Sequence, residues 1–588
     1  MRNLYILLVL VPALLFAGNL QPVTVLPEEP QQVNGSEAVP VTTRQATAPG
    51  ARTYTVGRVD TIGGTTYDWQ FNGPVYRMLV NSPHYGLHAG WMFSATETPW
   101  ADRNMRYNYF DYTAGEWNWL DPDYMASGVS VYAERAGFGH LDADPVEGVA
   151  IFTAHLTSQS TSLMPVLGKD LAPGTGIFDY APGEPNCDAY LWPPISIDGQ
   201  QTVHCALLDD ATREQLYYTR VQSWPEWQPP VSIVGSQPNP TFPDQNIAAS
   251  KVSQKVCVAW VYSEGAPYEP AYYRISEDGG ETWGEATELT PPPAYSGDTV
   301  PSFHITSLFP WYDEQDRLHI VAGVIPSVHE TLYIIPAEIW HWCPDNDPQW
   351  SKVHRAGCDP INLQASVGYN AAYACRPSIG QDQDGNLYVA WEQFDSSNVE
   401  PVTSLLRADI FAAASTDGGN TWLPAVKLTE AGTASCRFPC VTDQMVDLAG
   451  ARYMPVIYEI DQQAGFIVQG QGSSTNNPFV VQWVPVESLG VVPGVAEGAK
   501  TPARLELAAN PNPFSGRTVV SYALPQSGVV NLTLFDAAGR PVQTLFTGYR
   551  PAGRYTFNLN DSKLAAGVYF STLTTRNSSL TKKLTVVR

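Results

Sequence analysis

Residues 386–394 read Asn-Leu-Tyr-Val-Ala-Trp-Glu-Gln-Phe directly after an Asp384-Gly385 turn, and this stretch decides the fold. It is a turn followed by a strand of small and apolar residues, and the pattern recurs between Gly86 and Glu459. GLHAGWMFS starts at Gly86, GVAIFTAHL at Gly148, QTVHCALLD at Gln201, KVCVAWVYS at Lys255, RLHIVAGVI at Arg317 and ARYMPVIYE at Ala451. The seven copies begin 53 to 69 residues apart, about the length that four short strands and their turns need. Another short strand precedes the copy, as in Arg376-Pro-Ser-Ile-Gly, and a third follows it, as in Ile410 to Ala414. A fourth begins near a tryptophan: Trp117, Trp227, Trp283, Trp350 and Trp422 share this late position, and only the second and seventh units lack one. A four-stranded meander cannot bury both faces alone, so it gains its core by stacking on its neighbours around a ring. The expected fold is all-β, a seven-bladed β-propeller with six blades as the alternative; a run of β-sandwiches competes but would not carry so long a period.

The composition agrees. Among 588 residues 44% are hydrophobic and only 15% charged, with 17 Trp, 30 Tyr, 46 Gly and 49 Pro, which suits many short strands joined by turns. A formal net charge of −25 excludes nucleic acid as a partner, because clustered Lys and Arg are needed to replace counterions. From Arg504 to the end, however, ten Lys or Arg face only Glu506, Asp536 and Asp561, so this end reads as a separate basic module.

Two units carry a sharper signature, Ser276-Glu-Asp278-Gly-Gly280-Glu-Thr-Trp283 and Ser415-Thr-Asp417-Gly-Gly419-Asn-Thr-Trp422, with a degenerate copy from Cys343 to Trp350. Both resemble the Asp-box, S-x-D-x-G-x-T-W, of sialidases and other BNR-repeat propellers. The turn needs glycines for positive φ, an aspartate to accept from turn amides and a tryptophan ring to bury between sheets. The resemblance implies a peripheral position, so these eight residues are expected to be structural. An EF-hand would need acidic residues at alternate positions and a distal Glu, which neither copy supplies.

Met1-Arg2-Asn3, the apolar run Leu4 to Phe16 and the small Ala17 read as a signal peptide over 1–17, with an uncleaved anchor as the alternative. Residues 18–57 read as a flexible leader, 58–490 as the propeller, 491–503 as a linker and 504–588 as a small immunoglobulin-like β-sandwich. Asn510-Pro-Asn-Pro-Phe514, Leu534-Phe-Asp-Ala-Ala-Gly-Arg540, Leu564-Ala-Ala-Gly-Val-Tyr569 and Lys582-Lys-Leu-Thr-Val586 resemble the type A C-terminal sorting domain of the type IX secretion system. That resemblance implies export through the outer membrane, hence a secreted or surface-attached protein with the secretion machinery as a partner. A plain adhesive sandwich is the alternative. Eight cysteines in an exported chain allow a few disulfides, Cys187 with Cys205 and Cys343 with Cys358 being the local choices, although spacing leaves the connectivity open.

For chemistry, no GxSxG, HExxH, P-loop or strand-to-helix GxGxxG occurs, and no zinc-spaced CxxC pair, so neither a cofactor nor a metal is expected. His88, His204 and His319 fall at equivalent strand positions and read as packed or hydrogen-bonded. The early Phe-or-Tyr-Arg-Ile-Pro motif of sialidases is missing; Tyr273-Arg-Ile-Ser276 runs into the first Asp-box instead. Segments entering the repeated strand begin at Arg77, Arg135, Tyr190, Asp244, His304, Arg376 and Arg437. The four arginines, Arg77, Arg135, Arg376 and Arg437, could converge on a carboxylate, sulfate or phosphate, or could brace the blades by pairing with acids such as Glu134 or Asp443. The expected function is binding of glycan or protein by a monomer, with sialidase-like exo-glycosidase action on acidic glycans as the alternative.

Overall fold

The computed structural model describes residues 53–54, 56–157, 162–240, 244–262, 270–292, 302–328, 331–358, 363–430, 432–492, 504–525, 528–550, 553–560, 564–575 and 578–587. The expected signal peptide, nearly all of the leader and nearly all of the linker lie outside them. The chain divides into two compact units, Met1–Val492 and Pro493–Arg588.

In the first unit the repeat becomes seven antiparallel meanders. Their second strands are Gly86–Phe93, Ala150–Thr157, Val203–Asp209, Val256–Val261, Leu318–Val328, Leu387–Val399 and Ala451–Asp461. Val-Cys-Val-Ala-Trp-Val at 256–261 is buried at every position. Strict alternation is absent because a sheet in a ring is covered on both faces, so its second strand is mainly apolar or small and its few polar side chains are buried with partners.

Contacts between innermost strands and the turns that follow them run around the ring. Ile197 N donates to Asp142 of the preceding sheet at 2.8 Å, Ala249 N to Ser196 Oγ at 2.9 Å, Glu314 N to Gln381 Oε1 at 3.0 Å and Gln381 N to Asp443 O at 3.0 Å. Asn81 N then donates to Asp443 Oδ1 at 2.9 Å, joining the first sheet to the seventh. The seventh sheet is completed by a strand from the other end of the unit. Arg58–Thr65 pairs with Asn477–Pro485, in register from Arg58 opposite Trp483 to Thr65 opposite Asn477. Closure joins the two ends of the unit in one sheet at the ring's seam.

The tryptophan stations align. Trp117 and Trp227 lie in the outermost strands of the first and third sheets, and Trp350 opens that of the fifth. Trp283 and Trp422 sit in the turn before the outermost strand of the fourth and sixth. Trp283, Trp350 and Trp422 therefore occupy corresponding places in three consecutive sheets, each half-buried rather than fully enclosed.

The described residues of the second unit form seven strands in two sheets. Glu506–Asn510, Arg517–Leu524 and Gly553–Asn560 form one; Pro541–Arg550, Gly528–Asp536, Gly567–Thr575 and Ser579–Val586 form the other, in that spatial order. Val520, Leu532, Leu534, Leu573 and Leu584 fill the core between them, making an immunoglobulin-like sandwich.

Candidate functional site

The mouth of the ring where the chain enters its innermost strands is closed by the protein itself. Residues 66–78 connect the closing strand to the first innermost strand, and all but Gly73 are buried. This strap carries aromatic residues inward. Trp69 packs on Phe466 with centroids 4.5 Å apart, Phe71 lies against Phe438 and Tyr76, and Tyr76 stacks on His140 at 5.6 Å. Its backbone is pinned by side chains from distant sheets: Asn370 Nδ2 donates to Asn72 O at 2.9 Å and Asn246 Nδ2 to Val75 O at 3.3 Å.

Beneath the strap lies an ion-paired layer. Arg376 and Phe438 adopt positive φ, 55° each, where the sixth and seventh innermost strands bulge on entering their sheets. A left-handed non-glycine residue is costly, and here the guanidinium helps to hold it. Arg376 Nη1 donates to Glu392 Oε1 at 2.5 Å and Nη2 to Asn370 O at 2.6 Å. Arg437 reaches the same carboxylate at 3.4 Å through both Nε and Nη2, and Phe438 N adds a bond of 2.8 Å. Glu392 is fully buried, with the two arginines 2% and 1% exposed. Burial alone would raise the Glu392 pKa; Arg437 and Arg376 outweigh it and hold the group down to about 2.

The other two arginines stand elsewhere, so the four do not converge. Arg77 crosses the channel to donate to Val441 O at 3.0 Å and Ile379 O at 3.2 Å, its guanidinium 5.0 Å from the Phe309 ring centre. Arg135 is half-buried and donates to Trp100 O at 3.0 Å. Neither Glu134 nor Asp443 is the partner of the Arg376–Arg437 pair. The partner is Glu392, and the signal for it was in the sequence: a lone carboxylate within the apolar copy at 386–394. Beyond Arg77, at the far mouth, a cavity of about 30 Å³ is lined by His140, Asp142, Asn246, Lys251 and Asp443 among others. Lys251 Nζ already donates to Asp142 at 2.7 Å.

The two Ser-x-Asp-x-Gly-x-Thr-Trp turns are built alike. Asp278 Oδ1 accepts from Thr282 N at 2.8 Å and Oδ2 from Thr282 Oγ1 at 2.6 Å, while Ser276 Oγ accepts from Gly280 N at 2.8 Å. Asp417, Thr421, Ser415 and Gly419 repeat these bonds at 2.9, 2.6 and 2.9 Å. Each turn docks on the sheet before it: Trp283 meets Tyr218 edge-on at 4.8 Å, and Trp422 Nε1 donates to Ser351 Oγ at 3.0 Å. Tyr218 and Ser351 lie on outer strands, so both turns are peripheral braces.

The strand histidines join this bracing. His88 Nδ1 lies 2.9 Å from Tyr107 Oη, His204 Nδ1 2.7 Å from Tyr218 Oη and His319 Nδ1 2.8 Å from His341 Nε2. Their other ring nitrogens face Ser82, Asp198 and Asp313 at 3.0, 3.3 and 3.1 Å. Burial lowers all three pKa values, that of His88 to about 3. Among the described residues no cluster of His, Cys, Asp or Glu has a geometry that could hold a metal ion. The expected disulfides do not form either: all eight cysteines carry thiols, Cys187 and Cys205 being buried in one apolar cluster.

Comparison with known proteins places one part of the chain. Residues 509–587 match the family described as secretion system C-terminal sorting domain. This domain marks proteins that type IX secretion delivers to the cell surface or the extracellular space, and the secretion machinery is accordingly a partner of this chain. No curated protein matches the chain. Solved structures similar to it include an ulvan lyase described as a new polysaccharide lyase family, at 11% identity and a TM-score of 0.42, covering 72% of this chain and 96% of that one. An α-L-arabinanase from Penicillium chrysogenum, solved with arabinobiose, is 12% identical with a TM-score of 0.34, covering 73% and 98%.

Proposed function

We propose that the first unit is an Asp-box propeller that binds glycan or protein ligands outside the cell without turning them over. The two matching Ser-x-Asp-x-Gly-x-Thr-Trp turns support the Asp-box assignment. The sealed mouth supports binding over catalysis: the two arginines that lie together are buried under the strap and share Glu392, so neither of these guanidinium groups is open to a substrate carboxylate. Sialidase-like cleavage would need those guanidinium groups released. In this reading the ligand meets the outer surface, and Arg376 and Arg437 brace the sixth and seventh sheets.

Arg376→Ala tests this through two readouts, thermal stability and retention on immobilised acidic glycans. Bracing predicts a clear fall in melting temperature with retention unchanged. Loss of retention with an unchanged melting temperature would instead make the arginines the binding site and favour the hydrolase reading.

A further inference from the structure

The strap is fastened beside three buried carboxyl groups that outnumber Arg437, the cation acting on them. Asp68 belongs to the strap, while Glu459 and Asp461 end the second strand of the seventh sheet; they are 6%, 0% and 2% exposed. Each uses one oxygen. Asp68 Oδ2 accepts from Ile467 N at 2.7 Å, Glu459 Oε1 from Asn477 Nδ2 at 2.8 Å and Asp461 Oδ1 from Gln463 N at 3.1 Å. The other oxygens, Asp68 Oδ1, Glu459 Oε2 and Asp461 Oδ2, are buried and make no hydrogen bond.

The surrounding charges fall short of neutralising all three, since Arg376 and Arg437 against Glu392 leave one positive charge for three carboxylates. Arg437 acts on all three but is already bonded to Glu392, as is Arg376. On the remaining side Glu400, paired with Arg407, adds negative charge near Asp461. Trp69 packs on Phe466 at this place. The described carboxylates do not form a metal cage. A proton is the occupant that fits, since it neutralises a carboxylate without needing volume and gives the bare oxygen a donor.

We propose that Asp68, Glu459 and Asp461 form a proton-held latch that keeps residues 66–78 across the mouth, and that loss of these protons at alkaline pH releases the strap and uncovers the Arg376–Glu392–Arg437 layer. Desolvation and mutual repulsion raise all three acids, Asp461 to about 7 and the other two well above the carboxylate range. The closed state therefore binds more protons than the open one. Its stabilisation is complete below the ordinary carboxylate pKa of about 4 and is lost as pH rises through 7 and beyond. The released protons pass to solvent.

Hydrogen exchange of the full chain at pH 5.5, 7.0 and 8.5, corrected for intrinsic exchange, tests the latch. Protection of 66–78 should fall about tenfold or more across this range relative to 387–394, because each pH unit between the open-state and closed-state pKa of one linked group shifts the opening equilibrium tenfold. Glu459→Gln with Asp461→Asn, or Asp461→Asn alone if the double variant does not fold, should flatten that fall. Unchanged protection in the wild type overturns the proposal whatever the variants do. An equal fall in a folded variant overturns it as well.

Discussion

Glu392→Gln removes one charge from the layer beneath the strap while keeping the side chain's shape. Glu392 is held at about 2 against an ordinary value of 4.5, and a shift of this size corresponds to about 3 kcal/mol favouring the ionised, paired form. The glutamine also leaves the buried Arg376 and Arg437 without the carboxylate they share, a loss that costs about 3–5 kcal/mol in buried pairs. Both routes give the same size of effect, so the variant should lose about 3 kcal/mol or slightly more at pH 7, read from urea unfolding followed by tryptophan fluorescence. The pH dependence follows from the depressed pKa. Stability from this carboxylate is present above 4.5 and lost as pH falls through about 2, so the gap between the two proteins should persist from pH 7 to 5 and close towards pH 2. A gap under about 1 kcal/mol at pH 7 would show that the pair is not the brace described here.

Three other expectations concern the rest of the molecule. Gly279 and Gly280 both have positive φ, but a Cβ on Gly280 would lie 1.8 Å from the Tyr218 hydroxyl whereas on Gly279 its nearest neighbour is 3.4 Å away. Gly280→Ala should therefore lower the melting temperature clearly more than Gly279→Ala, and equal losses would contradict the docking of this turn on the third sheet. Thiol titration in denaturant without reductant should find eight reactive groups, and fewer would mean that disulfides form. Deleting 504–588 should leave a folded propeller in the periplasm, since each unit has its own core; surface delivery of the truncated chain would contradict the sorting role.

The ring was legible because the second strands are covered on both faces, which writes a mainly apolar signature into every unit, unbroken in Val256–Val261. The turns at Ser276 and Ser415 were equally plain, since their geometry admits few residues. The mouth was harder to read. Tyr67, Trp69, Phe71 and Tyr76 alternate or recur as strand residues do, and only the placement of Arg58–Thr65 as the closing strand frees them to act as a plug. Glu392 stood in view inside an apolar copy, but its partners come from sequence positions 16 and 45 residues away on two innermost strands, a distance that local pattern does not encode. The local cysteine pairs misled for a related reason: closeness in sequence does not set the direction in which two strand side chains point.

The binding reading stands or falls on whether anything is consumed. A panel of acidic oligosaccharides, sialosides included, should be incubated with the purified protein, with retention and released product measured in the same samples. Retention of at least one glycan without any product is the expected result. Product that accumulates with time, and disappears in Arg376→Ala, would make the protein an enzyme and contradict the closed, bracing mouth.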